Sequence, residues 1–195
     1  MPDILPAVVL AGGLARRMGG GDKPLRPFGE GTILSAVLAR LGPQADPLAI
    51  SANGDPARFA PFGLPVLPDP VEGHPGPLAG VLAAMLWARS LGVAAVLTVP
   101  GDAPFLPADL APRLTGAGAP AFATAGGRAH PIAALWPTAL AETLHRDLDG
   151  GLRKVEAFAS AHQAHPVEFA VPPGGPDPFL NLNTPEDLLQ AARWL

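Results

Sequence analysis

An α/β fold with a mainly parallel central sheet is the prediction, and three features of the sequence lead to it. Short β-branched apolar runs alternate with segments of helical periodicity through the first half of the chain, the order that βαβ units produce. Two of these runs, Pro6–Leu10 and Val93–Val99, are of the continuous buried type, as strands covered on both faces are. The 23 glycines and 26 prolines punctuate the apolar runs instead of forming tracts, so they mark turns.

The elements follow in order. Pro6–Leu10 is the first strand, and a loop of glycines and basic residues from Gly12 to Lys23 leaves its end. Ile33, Leu34, Val37, Leu38 and Leu41 give Thr32–Leu41 helical spacing, with Thr32 as the N-cap. Leu48–Ser51 is a second strand, Asp55–Phe62 a short helix and Pro65–Leu67 a third strand. Pro77–Leu91 has the strongest helical period in the chain and stops at Gly92. Val93–Val99 then runs into Pro100-Gly101-Asp102. Beyond it, Ala121–Thr124 and Ile132–Trp136 are expected to pair around Gly126-Gly127. Thr138–Leu148 and Lys154–His162 are read as helices, Val167–Val171 as a late strand, and Pro185–Leu195 as a helix capped by Thr184.

The chain has 195 residues, roughly one domain's worth, with no linker or internal repeat, so a single domain over 1–195 is expected. Apolar residues make up 48% and charged residues 15%, a composition that supplies a core and excludes disorder. The absence of cysteine removes disulfides, thiolate metal sites and cysteine nucleophiles together. A net charge of −4 argues against a globally basic nucleic-acid binder. The apolar run Ile4–Ala11 follows Asp3 and precedes Arg16 and Arg17, the reverse of a signal peptide's charge order. No apolar stretch reaches the roughly 18 residues of a membrane span, and a soluble cytoplasmic protein is expected.

The segment Leu10-Ala-Gly-Gly-Leu-Ala-Arg-Arg-Met-Gly-Gly-Gly-Asp-Lys23 carries the most chemistry. It leaves the carboxyl end of a strand, where open α/β sheets bind ligands. Gly12 and Gly13 permit close backbone approach and offer N–H donors to phosphate oxygens, while Arg17 and Lys23 add positive charge. A Walker A loop is excluded because Lys23 lies between Asp22 and Pro24, and the dinucleotide fingerprint lacks its third glycine. Asp102, at the end of the core strand, is the minimum carboxylate for Mg²⁺ bound to substrate phosphates. Capping of a helix starting near Ala108 is its alternative role. Asn181 and Asn183 are two apart in extended chain and share a face, with an Asx turn as the alternative for Asn183.

The pattern L-A-G-G-x-x-x-R-M-G-x-x-D-K, filled by Leu10, Gly12, Gly13, Arg17, Met18, Gly19, Asp22 and Lys23, resembles the molybdenum cofactor guanylyltransferase family. The resemblance continues through Pro75–Gly80, Pro100–Phe105, His130-Pro131 and Asn181–Asp187, nearly the whole chain. It implies a three-layer Rossmann-like nucleotidyltransferase fold, with a nucleotide-binding half over about 1–105 and an acceptor-binding half over about 106–195. It also implies transfer of GMP from GTP to the phosphate of molybdopterin or Mo-molybdopterin, with Mg²⁺ or alternatively Mn²⁺. On the same ground GTP binding falls to Leu10, Ala11, Gly12, Gly13, Lys23, Asn53, Asp69 and Asp102. Arg17, Lys23 and Asp102 are the expected catalytic residues, Asp102 also the metal ligand, and Arg153, Lys154, Asn181 and Asn183 the acceptor contacts. Ser51 competes with Asn53 for its role, and a solvated helix face equally explains Arg153-Lys154. The resemblance implies a monomer that binds neither nucleic acid nor membrane and works beside other molybdenum-cofactor assembly proteins. A cytidylyltransferase acting on molybdopterin, a sugar-phosphate nucleotidyltransferase and a non-catalytic nucleotide-sensing module are the alternatives.

Overall fold

Ala7, Val8 and Val9 are all fully buried, Ala7 and Val9 against one set of helices and Val8 against another. A strand covered on both faces needs apolar residues at every position, which is what Pro6–Leu10 supplies. The computed structural model describes residues 5–12, 21–71, 73 and 76–195. The first half contains β1 (Ala7–Leu10), β2 (Pro27–Phe28), β3 (Gly31–Thr32), α1 (Ile33–Leu41), β4 (Leu48–Ser51), β5 (Val66–Leu67), α2 (Pro77–Ser90) and β6 (Ala95–Pro100). The second contains α3 (Leu110–Ala117), β7 (Ala121–Ala125), β8 (Arg128–Pro137), α4 (Ala141–Asp149), α5 (Val155–Ala161), β9 (His165–Phe169) and α6 (Pro185–Ala191).

Seven strands form one sheet in the order β5-β4-β1-β6-β8-β7-β9. The first four are mutually parallel, β8 is antiparallel to both neighbours, and β9 returns parallel to β7. On one face α1 and α3 pack through Leu34, Val37, Leu41, Leu110 and Leu114. On the other, α2, α4 and α5 bury Leu82, Met85, Leu144, Leu148 and Phe158 against Val8, Val96 and Trp136. The result is the expected three-layer α/β arrangement. From β1 the chain crosses first to β4 on one side and later to β6 on the other, so the topological switch point lies between β1 and β6.

Most expected elements are present, with corrections that have physical causes. The late strand is His165–Phe169, two residues earlier than Val167–Val171. The strand takes in Pro166 because β9 is an edge strand, where a missing donor is tolerated. The segment Thr138–Leu148 divides into a 3₁₀ turn, Thr138–Leu140, and α4. The final helix ends at Ala191 and continues as a 3₁₀ turn over Ala192–Trp194. The hairpin of β2 and β3 has two-residue strands, too short to show a period. It packs through Phe28 on Phe105, whose other edge meets Trp194.

Candidate active site

The carboxyl ends of β1 and β6 lie side by side, with Leu10 paired to Pro100. Gly101 lets them approach. A Cβ there would stand 3.0 Å from the Leu10 carbonyl oxygen and 3.2 Å from the Pro24 ring, and the Gly101 N–H donates to Leu10 O at 3.0 Å. Asp102 follows at once and does not cap a helix: the N-cap of α3 is Asp109, whose side chain makes no capping bond. The Asp102 carbonyl accepts from the Leu182 N–H at 2.9 Å, which fastens the segment carrying Asn181 and Asn183 beside it.

Lys23 opens a 3₁₀ turn, Lys23–Leu25, held in place by buried Pro24. Its ammonium donates to the Asp102 carboxylate and, at 2.6 Å, to Asn183 Oδ1. Only 13% of the Lys23 and 15% of the Asp102 side chain is exposed, so each charge depends on the other for compensation. Asn183 is itself fixed by the start of α6. The Asp187 carboxylate accepts from the N–H groups of Asn183 and Thr184, at 2.8 and 2.9 Å, and Thr184 caps the Asp187 N–H in return.

A cavity of about 420 Å³ opens at this point, lined by Leu10, Gly12, Lys23, Asn53, Asp69 and Asp102 among others. The volume suits a small-molecule ligand. Across it from Lys23, Asn53 donates to the Asp69 carboxylate at 2.6 Å and accepts from the Asp69 N–H at 2.9 Å, so the two form one wall. Ser51 also lines the cavity. Ala11 does not: its side chain packs in the core between its two cavity-facing neighbours. A Cβ on Gly12 would meet nothing within 4 Å, and Gly12 has no left-handed φ. Among the described residues, no contact therefore requires glycine at position 12. Gly80 differs, since a Cβ there would come within 2.9 Å of Ser51 Oγ and 3.2 Å of Leu10 Cδ2.

A second cavity of about 330 Å³ adjoins the first, the two sharing Pro77, Pro100 and Ile132 as walls. Arg153, Lys154 and Asn181 line it together with His130, Glu156 and Phe179. The Arg153 guanidinium is partly engaged already, donating to the carbonyls of Leu148 and Leu152 at 3.0 and 2.7 Å near the C-terminus of α4. His130 stacks on Phe179 with ring centroids 4.8 Å apart, and its shielded Nε2 has no hydrogen-bond partner among the described residues. Burial lowers its pKa from 6.5, with Arg128 acting the same way and Asp177 and Glu168 opposing.

Of the residues expected from sequence, Leu10, Gly12, Lys23, Asn53, Asp69 and Asp102 line the first cavity, and Arg153, Lys154 and Asn181 the second. Asn183 is at Lys23 instead of the second cavity. Gly13 and Arg17 lie outside the described residues. Sequence reasoning did not single out Pro77, Ile132, Glu156 or Phe179 as lining residues. Pro77 sits inside a family motif, whereas the others are single apolar or charged residues with no local signature. Among the described residues no group of three potential metal ligands occurs. Asp102, a carboxylate on the first cavity, has the chemistry to hold a hard cation that completes its shell with phosphate oxygens and water.

A largely parallel sheet with helices on both faces and its switch point between β1 and β6 is the fold of a nucleotidyltransferase of the Rossmann-like type. The model of the MobA-like NTP transferase domain matches residues 7–167. A molybdenum cofactor guanylyltransferase of Rhodopseudomonas palustris is 53% identical over 196 residues, covering 96% of this chain and 92% of that protein. The chain belongs to the MobA-like NTP transferase family. Among solved structures, molybdopterin-guanine dinucleotide biosynthesis protein A of Archaeoglobus fulgidus superposes with a TM-score of 0.72 at 21% identity, over 97% of both chains. A Mycobacterium tuberculosis protein crystallised in complex with manganese superposes at 0.66 and 20% identity, over 98% of this chain and 100% of its own. Among the described residues no helix is long and apolar enough to cross a membrane.

Proposed function

We propose that the protein transfers GMP from GTP to the terminal phosphate of molybdopterin, forming molybdopterin guanine dinucleotide and releasing pyrophosphate. The observation that carries this reading is the pair of adjoining cavities with Asp102 and Lys23 beside their shared wall. Group transfer needs a donor pocket and an acceptor pocket that meet where the bond changes hands. The first cavity is lined by residues of 1–105 apart from Ile132, and the second by residues of 106–195 apart from Pro77 and Pro100. That division supports a donor half and an acceptor half. The identities of guanine and molybdopterin rest on the names of close relatives such as the Rhodopseudomonas protein.

In the reaction an acceptor phosphate oxygen bonds to the α-phosphorus of GTP, and the bond from that phosphorus to the β-bridging oxygen breaks. A phosphate monoester is already an anionic nucleophile, so the chain need not supply a strong base. The obstacle is repulsion, about 4 kcal/mol for two unit charges 4 Å apart at an effective dielectric near 20. The Lys23 ammonium counters it and stabilises charge gathering on the pyrophosphate. Asn183 aims that ammonium, and the Asn53–Asp69 wall bounds the nucleotide. Asp102 would hold a divalent cation, Mg²⁺ or the Mn²⁺ present in the mycobacterial structure, which when bound supplies positive charge to the phosphate oxygens. Catalysis is then positioning and electrostatics. To test this, pyrophosphate release is measured with GTP, CTP, ATP or UTP, with and without molybdopterin. Release that requires both GTP and molybdopterin is expected; equal release with CTP, or release without acceptor, would contradict it.

A further inference from the structure

Arg58 touches neither cavity, yet it ties together two parts of the first one. Its Nε lies 2.6 Å from an oxygen of the Asp22 carboxylate, one residue before Lys23. Its Nη1 donates to the Asp55 carbonyl at 2.6 Å, and its Nη2 donates to the carbonyl of Asn53. The same guanidinium lies over the fully buried Phe59, with Cζ 4.7 Å from the ring centroid. Gly54 makes room for it: a Cβ there would sit 3.2 Å from Arg58 Nη1. The arginine side chain is 26% exposed and that of Asp22 19%, so the pair is partly desolvated and has little freedom to rearrange. The guanidinium thus donates hydrogen bonds to the Asp55 carbonyl and to the backbone of the residue that grips Asp69, and pairs as a charge with Asp22, which precedes the catalytic lysine. A lysine, with a single nitrogen, could not hold all three partners.

We propose that Arg58 is a positioning residue for nucleotide binding. It clamps the end of the first βα loop to the Asn53–Asp69 wall, which fixes where Lys23 enters the cavity. It also neutralises Asp22, whose ion pair with Arg58 is the one it makes among the described residues, beside the lysine that meets the triphosphate. The inference rests on the first cavity being the GTP pocket. It does not depend on which acceptor is used.

The test compares wild type, Arg58→Ala and Asp22→Asn/Arg58→Ala by equilibrium titration with MgGTP and by steady-state kinetics, with melting temperature as the check on folding. Arg58→Ala is expected to weaken GTP affinity and raise its KM about tenfold while changing kcat less than about threefold. Removing the stranded carboxylate in the double variant is expected to recover about threefold of that loss. A purely structural role would lower the melting temperature and leave GTP affinity in place, and that result would overturn the proposal. So would a double variant as weak as the single one. If Arg58→Ala fails to fold, Arg58→Lys keeps the charge over Phe59 and loses the fork, and unchanged affinity in that folded variant would equally overturn it. Wild-type protein that binds GTP without turnover would count against the transfer reaction alone, and unchanged affinity in the variants against the clamp alone.

Discussion

Position 12 separates two reasons for a glycine. Gly101 is required by its neighbours, whereas nothing among the described residues lies within 4 Å of a Cβ on Gly12, and its φ is not left-handed. Gly12→Ala is therefore expected to melt within about 2 °C of wild type and to raise the KM for GTP about tenfold, because the added methyl takes space on the cavity wall. Lys23→Ala is expected to cut turnover by about 10²–10³, the effect of deleting one donor that stabilises developing charge; activity within a few-fold of wild type would rule out its catalytic role. His130 gives a stability prediction. Burial holds its folded pKa below the unfolded value of 6.5, so the unfolded chain binds the proton more readily. Both states are neutral well above 6.5, and native stability is lost as pH falls below it. His130→Gln removes this term, and its melting temperature should fall less than that of wild type between about pH 7.5 and 5.5. At this scale the cavity positions of Gly12 and Lys23 were legible from the composition of their loop, and that of Asp102 from its place at the end of a core strand. Arg58 was not, since its partners lie in a separate loop and in its own short turn.

The elements position the site through their ends. α1 and α6 each begin with a capping box, Thr32 with Ser35 and Thr184 with Asp187. The first was readable as an N-cap threonine before an apolar period. The second does more than start a helix, because Asp187 also holds the Asn183 N–H. Thr184→Ala is expected to cost about 1 kcal/mol of stability by chemical denaturation, with reduced turnover as Asn183 loses its setting. The β1–β6 junction is less forgiving. Gly101→Ala sets a methyl 3.0 Å from a carbonyl and 3.3 Å from the Ala11 Cα, both backbone, and a loss of about 1–3 kcal/mol is expected. The strands at the sheet's centre were legible from their continuous apolar runs. The edge strand β9 was harder to place because it contains a proline, and the separate β2–β3 hairpin because its strands are only two residues long.

Over the whole molecule, a strand order that reverses direction between β1 and β6 places Gly12, Lys23 and Asp102 at one end of the sheet. The antiparallel strand β8 then brings Ile132 to the wall shared by the two cavities and His130 into the second. Strand–helix alternation made the parallel half predictable. The second cavity was only partly so, since it is assembled from β8, the start of α5 and the segment before α6, none adjacent in sequence. The crystal structure of the protein with GTP and Mg²⁺ tests the central claim most directly. Expected is a triphosphate in the 420 Å³ cavity, its α-phosphate beside Asp102 and Lys23 and its base toward Leu10 and Gly12. A nucleotide bound elsewhere, with that cavity empty, would contradict it.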